Sequence, residues 1–176
     1  DPDIIMIGEI RDEETAEIAV RSAITGHLVL STLHTNDATG AIVRLSNMGV
    51  QRYLVADALV GVIAQRLVKR LCPACKKKGR TTAKEMEILG IDEPINIARP
   101  QGCQFCNHTG YKGRIAVHEL MYMNENMKAA VMSETSLEKL RRISVENGMV
   151  PLWNSCRNLV FNGSTSIQEL MTLNID

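Results

Sequence analysis

The sequence predicts an α/β fold, and three observations support this. Residues 4–7 and 28–33 are short, continuous apolar runs, which are typical of strands buried on both faces. Helical periodicity follows each run, so that strand, helix, strand and helix alternate as they do around a parallel sheet. The 176 residues, 45% of them hydrophobic, are enough for one domain that carries a small insert.

The first half of the chain is then assigned element by element. We expect a helix over residues 13–25 that buries Ile18, Ala19, Ser22 and Ala23 and ends at Gly26. Asp37 or Asn36 is placed to cap the next helix, which runs towards Gly49. A further helix is predicted from Tyr53 to Val62, and residues 65–71 are predicted to be extended.

The second half is predicted to return to the sheet and then become helical. Residues 114–120 read as a strand that pairs antiparallel with residues 65–71 and joins the segment between them to the edge of the sheet. Helices are expected over residues 125–132, 137–147 and 151–161, with Ser136 as the cap of the second. Pro151 suits the first turn of the third, and a last short helix follows residue 166.

Four cysteines form two CxxC pairs that are separated by 27 residues: Cys72, Cys75, Cys103 and Cys106. Each pair places two thiolates on one tight turn, and two such turns complete the tetrahedral four-sulfur shell that Zn²⁺ prefers. Disulfides are the structural alternative and iron a minor one, but nothing marks the chain as secreted, which favours zinc. His108 is interpreted as a bystander and Cys156 as a buried thiol.

The formal net charge is zero, but the charges are unevenly distributed. Residues 1–17 hold seven acids and one base, whereas residues 58–84 hold eight bases and no acid. The basic stretch is either a solvated face or a patch that meets an acidic or phosphate-rich partner. No apolar run reaches 18 residues, so no transmembrane helix is expected. The opening Asp-Pro-Asp resembles neither a signal peptide nor a natural start, so we expect a cytosolic piece of a longer protein.

Polar side chains follow the two predicted strands where each strand ends. Glu9 comes after the first strand, and Thr32 and His34 stand at the end of the second. In an open α/β sheet, ligands bind outside the carboxyl ends of the strands. A carboxylate there can hold Mg²⁺ beside a γ-phosphate, and a neighbouring Thr and His can sense that phosphate. Together these residues predict half of a nucleotide-hydrolysis site.

The chain resembles a known family on several motifs. The segment DPDIIMIGEIRD at residues 1–12 is similar to the Walker B segment of the secretion ATPases of type II secretion and type IV pilus assembly. The segment TGHLVLSTLHTNDA at residues 25–38 is similar to their histidine box. Residues 65–67 (QRL), both CxxC pairs and residues 110–114 (GYKGR) match the assembly-type members, whose four-cysteine domain binds zinc. The retraction ATPases of pili share the nucleotide half but not this cysteine pattern.

The resemblance implies roles for individual residues. Glu9 would act on Mg²⁺ or its water, and Thr32 and His34 would stand near the γ-phosphate. His27 and Arg11 would join Glu9 in binding the nucleotide, and Arg11 and Arg44 are candidate partners of a neighbouring nucleotide or carboxylate. The four cysteines would hold a structural zinc.

The resemblance also implies an architecture and an assembly. The fold would be the C-terminal half of a RecA-like P-loop NTPase domain over residues 1–71, a tetracysteine zinc insert over 72–113, and a return strand with a C-terminal helical subdomain over 114–176. Family members form hexamers at the cytoplasmic face of the inner membrane, where they act through a membrane platform protein. We therefore expect peripheral membrane localisation, contact with the acidic membrane surface, and no nucleic-acid partner.

One departure from the family pattern limits the expected activity. No GxxxxGK[ST] phosphate loop occurs in the 176 residues. Without its amides and lysine, the β- and γ-phosphates lose their main cradle. We therefore expect an ATPase parent that uses ATP and Mg²⁺, and a chain that is inactive alone.

Two alternatives to an ATPase parent remain. One is a zinc-ribbon module that binds nucleic acid, although 3% aromatic residues leave little for base stacking. The other is a purely structural role, in which zinc is a scaffold and Glu9 and His34 are relics.

Overall fold

The computed structural model describes residues 2–133 and 135–173, and Asp1, the first residue of the Walker B-like segment, lies outside them. The elements in chain order are β1 (Ile4–Ile7), α1 (Glu13–Ile24), β2 (Leu28–Ser31), α2 (Ala38–Asn47), α3 (Arg52–Ala58), β3 (Gly61–Leu71), β4 (Lys77–Arg80), α4 (Ala83–Leu89), β5 (Asn96–Arg99), β6 (Tyr111–Tyr122), α5 (Glu125–Met132), α6 (Leu137–Glu146), α7 (Leu152–Phe161) and α8 (Ile167–Thr172). A 3₁₀ turn, Gln104–Cys106, lies at the second CxxC pair.

The strands form three two-stranded sheets among the described residues: β1 with β2, β3 with β6, and β4 with β5. β1 and β2 are parallel, as predicted, with Ile4 opposite Leu28 and Ile7 opposite Ser31. β3 and β6 are antiparallel, because Met123 donates its N–H to Val60 and Cys72 donates to Gly110 at the two ends of the pair. The prediction that these two strands join the edge of the first sheet is wrong, since among the described residues β3 and β6 pair only with each other.

The chain divides into two compact units, and the division falls within β3 and β6. Unit 1 contains residues 1–64 and 119–150, and unit 2 contains residues 65–118 and 151–176. α5 and α6 therefore belong to unit 1, whereas α7 and α8 belong to unit 2. The three segments proposed from the sequence remain a prediction.

The core of unit 1 is built by small and aliphatic side chains from its helices and from β6. α1 buries Ala16, Ala19 and Val20, and α3 packs against both α1 and α5. Ile18, which the periodicity placed on the buried face, is exposed. The buried stripe of α1 is shifted by about one helical position from the predicted one, and α3 and β2 are the elements that pack against this helix. Met121, Met127 and Leu140 complete the interior from the later elements.

Unit 2 carries structure that was not predicted between the two CxxC pairs. β4 and β5 form an antiparallel hairpin, and α4 lies between them. α4 begins with a capping box in which Thr82 and Glu85 bond each other's backbone N–H groups. The helix ends at Gly90, whose left-handed conformation suits glycine. The core of this unit contains Leu71, Leu89, Ile97, Val117, Cys156, Val160 and Leu170.

The edge of β3 that faces away from β6 is covered by the chain that leads into α8. The N–H of Lys69 donates to Glu169 at 2.8 Å, and its carbonyl accepts from the Thr165 hydroxyl at 2.7 Å. Two residues on, the N–H of Leu71 donates to the Ser164 carbonyl at 2.9 Å. This part of β3 therefore has hydrogen-bond partners on both sides.

Two further predictions differ from the structure in their bounds. The helix predicted from Tyr53 to Val62 is wrong at its end, because α3 stops at Ala58 and β3 begins at Gly61. Pro151 is the residue before α7 rather than its first helical residue. Among residues 2–133 and 135–173, no helix combines the length and hydrophobicity needed to span a bilayer.

Candidate functional site

The carboxyl ends of β1 and β2 meet at one edge of the parallel sheet, as the sequence predicted. The hydroxyl of Thr32 donates to the carbonyl of Gly8 at 2.7 Å. The N–H of Ile10 donates to the carbonyl of Thr32 at 3.0 Å. These two hydrogen bonds tie together the segments that carry Glu9 and His34.

Glu9 lies between two cationic or protonatable side chains. Its Oε2 atom is 2.6 Å from the Arg11 guanidinium, and its Oε1 atom is 2.9 Å from Nε2 of His34. Oε1 is buried, and beyond this contact with His34 it has no hydrogen-bond partner among the described residues. The Glu9 side chain is 20% exposed and that of His34 is 85% exposed.

The electrostatics keep Glu9 ionised. The hydrogen bond from Arg11 lowers the pKa of Glu9 below its usual value, and the charges of Arg11 and His34 act in the same direction against the effect of burial. A carboxylate with an oxygen that makes no hydrogen bond, beside a histidine, can hold Mg²⁺ or orient water. This orphaned oxygen fits the metal role inferred from the sequence.

The other candidate residues lie elsewhere in unit 1. His27 precedes β2, so it stands at the opposite end of the strand from Thr32, roughly 16 Å away at about 3.3 Å per residue. Its Nδ1 atom lies 3.1 Å from the carbonyl of Ser22. Arg44 is exposed in the last turn of α2. Of the candidates, the structure brings together Glu9, Arg11, Thr32 and His34.

The sequence reasoning missed one buried acid near this site. Glu119 of β6 is 2% exposed, and its Oε1 atom accepts a hydrogen bond from the N–H of Ala38, the first residue of α2, at 2.6 Å. The signal was present in the strand, because Val117, Glu119 and Met121 alternate on one face and all are buried. A glutamate at an inward-facing strand position requires a polar partner.

The four cysteines of the CxxC pairs form a compact cluster in unit 2. Their sulfur atoms all lie within 4.8 Å of one another. The Sγ atoms of Cys72 and Cys103 are 4.0 Å apart, and Cys106 lies 3.8 Å from both Cys75 and Cys103. A tetrahedral zinc site with Zn–S bonds of about 2.3 Å requires sulfur atoms about 3.8 Å apart. The cluster therefore fits a four-sulfur metal site. None of its four cysteines forms a disulfide, the alternative that the sequence left open.

The surrounding backbone favours a thiolate at one position of this cluster, Cys106. The N–H groups of Cys103 and Gly110 each lie 3.2 Å from the sulfur of Cys106. Burial alone would raise the pKa of Cys106, but these two N–H groups, together with the side-chain contacts of Cys103 and Cys75, outweigh it and lower the pKa to about 6. Burial raises the pKa of Cys75 to about 11, so a cation is needed to keep every sulfur ionised.

Comparison with protein families identifies the group to which the chain belongs. Residues 1–172 match the family described as "Type II/IV secretion system protein", and the chain is a member of it. The resemblance stated from the sequence is thus confirmed, and the zinc-ribbon alternative is not favoured.

Individual relatives agree with this assignment. The chain is 44% identical over 173 residues to "Type II secretion system protein E" of Pseudomonas aeruginosa, covering 97% of this chain and 34% of the relative. It is 46% identical over 175 residues to "Type IV pilus assembly ATPase TfpB" of Acinetobacter baylyi, covering 97% of this chain and 30% of the relative. The chain thus spans about a third of the length of these relatives.

Solved structures show the same fold. The pilus retraction motor PilT with bound ADP superposes with a TM-score of 0.68 at 25% identity, over 100% of this chain and 40% of PilT. The ATPase DotB of Legionella pneumophila gives 0.66 at 19% identity, over 99% of this chain and 39% of DotB, which is evidence of fold only. The fold is therefore that of an α/β ATPase.

Proposed function

We propose that the whole protein is an ATPase that powers type IV pilus assembly or type II protein secretion, and that this chain supplies one half of its hydrolysis site. The observation that carries the proposal is the contact of Glu9 with His34 at the ends of two neighbouring parallel strands. The names of the relatives support the activity. The chain alone should be inactive, because the phosphate-binding loop is not among its 176 residues.

Each residue of the cluster has a proposed role. Glu9 would hold Mg²⁺ or its water, and Arg11 keeps the Glu9 carboxylate ionised. The His34 side chain is 85% exposed, so it can reach a γ-phosphate. Thr32 holds the two strand ends in register, and its role near the phosphate remains part of the proposal. His27 is proposed to contact the nucleotide only as the resemblance implies.

The proposed architecture is the second half of a RecA-like domain with a zinc-binding insert and a C-terminal helical subdomain. The parallel β1–β2 pair supports the first part, because within the described residues β2 has β1 as its strand partner on one side only. An apolar groove of about 380 Å³ lies along β2 and α3 and is lined by residues such as Val29, Leu30, Val55 and Leu59. An upstream strand of the same sheet would pair along the edge of β2 that has no strand partner among the described residues.

Zinc is the metal proposed for the tetracysteine cluster. Cys72, Cys75, Cys103 and Cys106 would fill all four positions, so the ion would be structural and would leave no place for water or substrate. The spacing of the sulfur atoms and the two backbone N–H donors support this choice.

The proposed partners follow from the family and from the charge distribution. We propose a homo-hexamer at the cytoplasmic face of the inner membrane, in contact with a membrane platform protein. Unit 2 holds 12 basic and 6 acidic residues, whereas unit 1 holds 8 and 14. Phe105 is exposed in the second CxxC turn, and Lys112 lies 4.8 Å from the centre of its ring. A basic unit with an exposed aromatic ring suits an acidic membrane surface.

Phosphate release by the full-length protein tests the proposal. With Mg-ATP we expect turnover by the wild type and a loss of two orders of magnitude or so in Glu9→Gln, with nucleotide binding preserved. Glu17→Gln is the matched control, because Glu17 also contacts an arginine, Arg21, at 2.6 Å but on an exposed helix face. Wild-type turnover in a folded Glu9→Gln protein would show that Glu9 is not the carboxylate.

A further inference from the structure

The segment that carries His34 is anchored at both of its ends. At the first end, the Thr32 hydroxyl donates to the Gly8 carbonyl at 2.7 Å. At the second end, α2 begins at Ala38, whose N–H donates to Glu119 at 2.6 Å. His34 stands between these anchors with a side chain that is 85% exposed, so packing contributes little to holding its ring in place.

Two carboxylates act at the start of α2, and they differ in origin. Asp37 is the local cap, since its Oδ1 atom accepts from the N–H of Gly40 at 2.7 Å. Glu119 comes from β6, 81 residues along the chain, and reaches the N–H of Ala38 in a fully buried position. The local cap stabilises the helix itself. The long-range carboxylate fixes where the helix begins relative to β6.

The Glu119 contact is strong for physical reasons. A hydrogen bond from a backbone N–H to a carboxylate is charge-assisted, and a negative charge is favourable at a helix N-terminus. Ala38 and Glu119 are both buried, so water cannot replace either partner. Loss of the carboxylate would leave the start of α2 free to shift, and His34 would shift with it.

We propose that Glu119 is a positioning residue that sets the distance between His34 and Glu9 by fixing the start of α2. The inference rests on the proposed function, because it assigns Glu119 an effect on the hydrolysis step through His34. Glu119 need not touch the nucleotide. Its effect travels through Ala38 and the three residues that connect this helix start to His34.

A double-mutant cycle in the full-length protein tests this coupling. We expect Glu119→Ala to lower kcat for ATP about tenfold with little change in KM, because small displacements of a reacting group cost rate rather than binding. In a His34→Ala background, the same substitution should lower kcat less than twofold, since the group it positions is gone. Glu119→Gln keeps an acceptor oxygen and should restore kcat to within about threefold of the wild type.

Glu169→Ala is the matched control. Glu169 is also a buried carboxylate that accepts a backbone N–H, that of Lys69 at 2.8 Å, but it lies in unit 2. We expect it to lower the unfolding midpoint while leaving kcat unchanged. If Glu119→Ala does not fold, Glu119→Asp takes its place in the cycle, because it keeps the charge but withdraws the oxygen from Ala38.

The possible outcomes separate the two proposals. Equal losses of kcat on substituting Glu119 in the wild-type and His34→Ala backgrounds would overturn the positioning role, and so would an unchanged kcat in a folded variant. A wild-type protein that binds but never hydrolyses Mg-ATP would overturn the proposed function itself.

Discussion

Glu85 and Arg99 form an ion pair with two parallel hydrogen bonds in unit 2, and its removal gives a measurable prediction. The guanidinium of Arg99 donates to both carboxylate oxygens of Glu85, at 2.6 and 2.7 Å. A third hydrogen bond joins Arg99 to the carbonyl of Arg80 at 2.9 Å. Because Glu85 also belongs to the capping box of α4, the pair links that helix to both strands of the β4–β5 hairpin.

The magnitude follows from the pKa of Glu85. The hydrogen bond from Arg99 is the largest cause that lowers this pKa from 4.5 to about 2. At 1.36 kcal/mol per unit, the shift corresponds to about 3 kcal/mol of stability. The side chains are 14% and 29% exposed, so solvent screening reduces the figure to about 1–2 kcal/mol. We expect Glu85→Gln to lower the free energy of unfolding by that amount at pH 7.

The pH dependence has a definite sign. A carboxylate whose pKa is lower in the folded state stabilises the fold fully above its unfolded pKa, and this contribution is lost as the pH falls. The difference between wild type and Glu85→Gln should therefore be complete above pH 4.5 and shrink towards pH 2.

Denaturant unfolding, followed by circular dichroism, measures the difference at each pH. The cycle with Arg99→Met isolates the pair, and Glu17→Gln is the control. Glu17 contacts Arg21 at the same 2.6 Å, but the two side chains are 54% and 72% exposed, so its loss should cost less than about 0.5 kcal/mol. Equal costs at Glu85 and Glu17 would refute the argument that burial gives this pair its strength.

Three other predictions concern the metal, one glycine and one surface. Freshly purified, reduced protein should contain one zinc per chain, which contributes on the order of 10 kcal/mol to folding of the insert, and elemental analysis that finds neither zinc nor iron would contradict this. Gly102→Ala should destabilise the protein by more than about 2 kcal/mol in thermal unfolding, because φ is +97° and a Cβ would lie 2.6 Å from the His108 carbonyl oxygen. Gly113→Ala is the control and should cost less, because Gly113 also has a positive φ but has open space around it. Residues 1–176 expressed alone should self-associate through the exposed apolar face of β1 and β2, and they should bind ATP weakly. Sedimentation should show less association in the double variant Met6→Lys, Leu30→Lys. A stable monomer with micromolar ATP affinity would contradict both expectations.

Elements with strong local signals were predictable from the sequence. α5 spans Glu125–Met132 as expected, and Ser136 caps α6 with its side chain. Asp37, one of the two residues considered, caps α2. In each case a side chain bonds a backbone group three residues away, so the information lies within one turn of the chain.

Features that depend on distant contacts were not predictable in the same way. The end of α3 was misplaced because residues 59–64 are apolar and fit either a helix or a strand, and pairing with β6 decides between them. The antiparallel β4–β5 pair was missed because both strands have only four residues and β4 is basic, without the apolar alternation that marks a strand.

The same distinction between local signals and distant contacts applies to the candidate site. The meeting of Glu9 with His34 followed from the parallel arrangement of two strands, which brings their carboxyl ends to one edge. Glu119 could not be assigned to α2 from the sequence, since nothing local joins positions 81 residues apart. Its inward position in β6 nevertheless marked it as an acid that needs a partner.

The hydrogen bonds that join Ser164, Thr165 and Glu169 to β3 affect whether this sheet can pair with a strand of another molecule. A two-stranded ribbon normally presents a free edge on which a strand of another molecule can continue the sheet. Here side chains and one carbonyl occupy that part of the edge, and they offer a newcomer no row of alternating donors and acceptors. The chain that enters α8 thus prevents another strand from adding to β3 at this point. Removal of this segment would leave these backbone groups of β3 without partners, and they could then pair with a strand of another molecule.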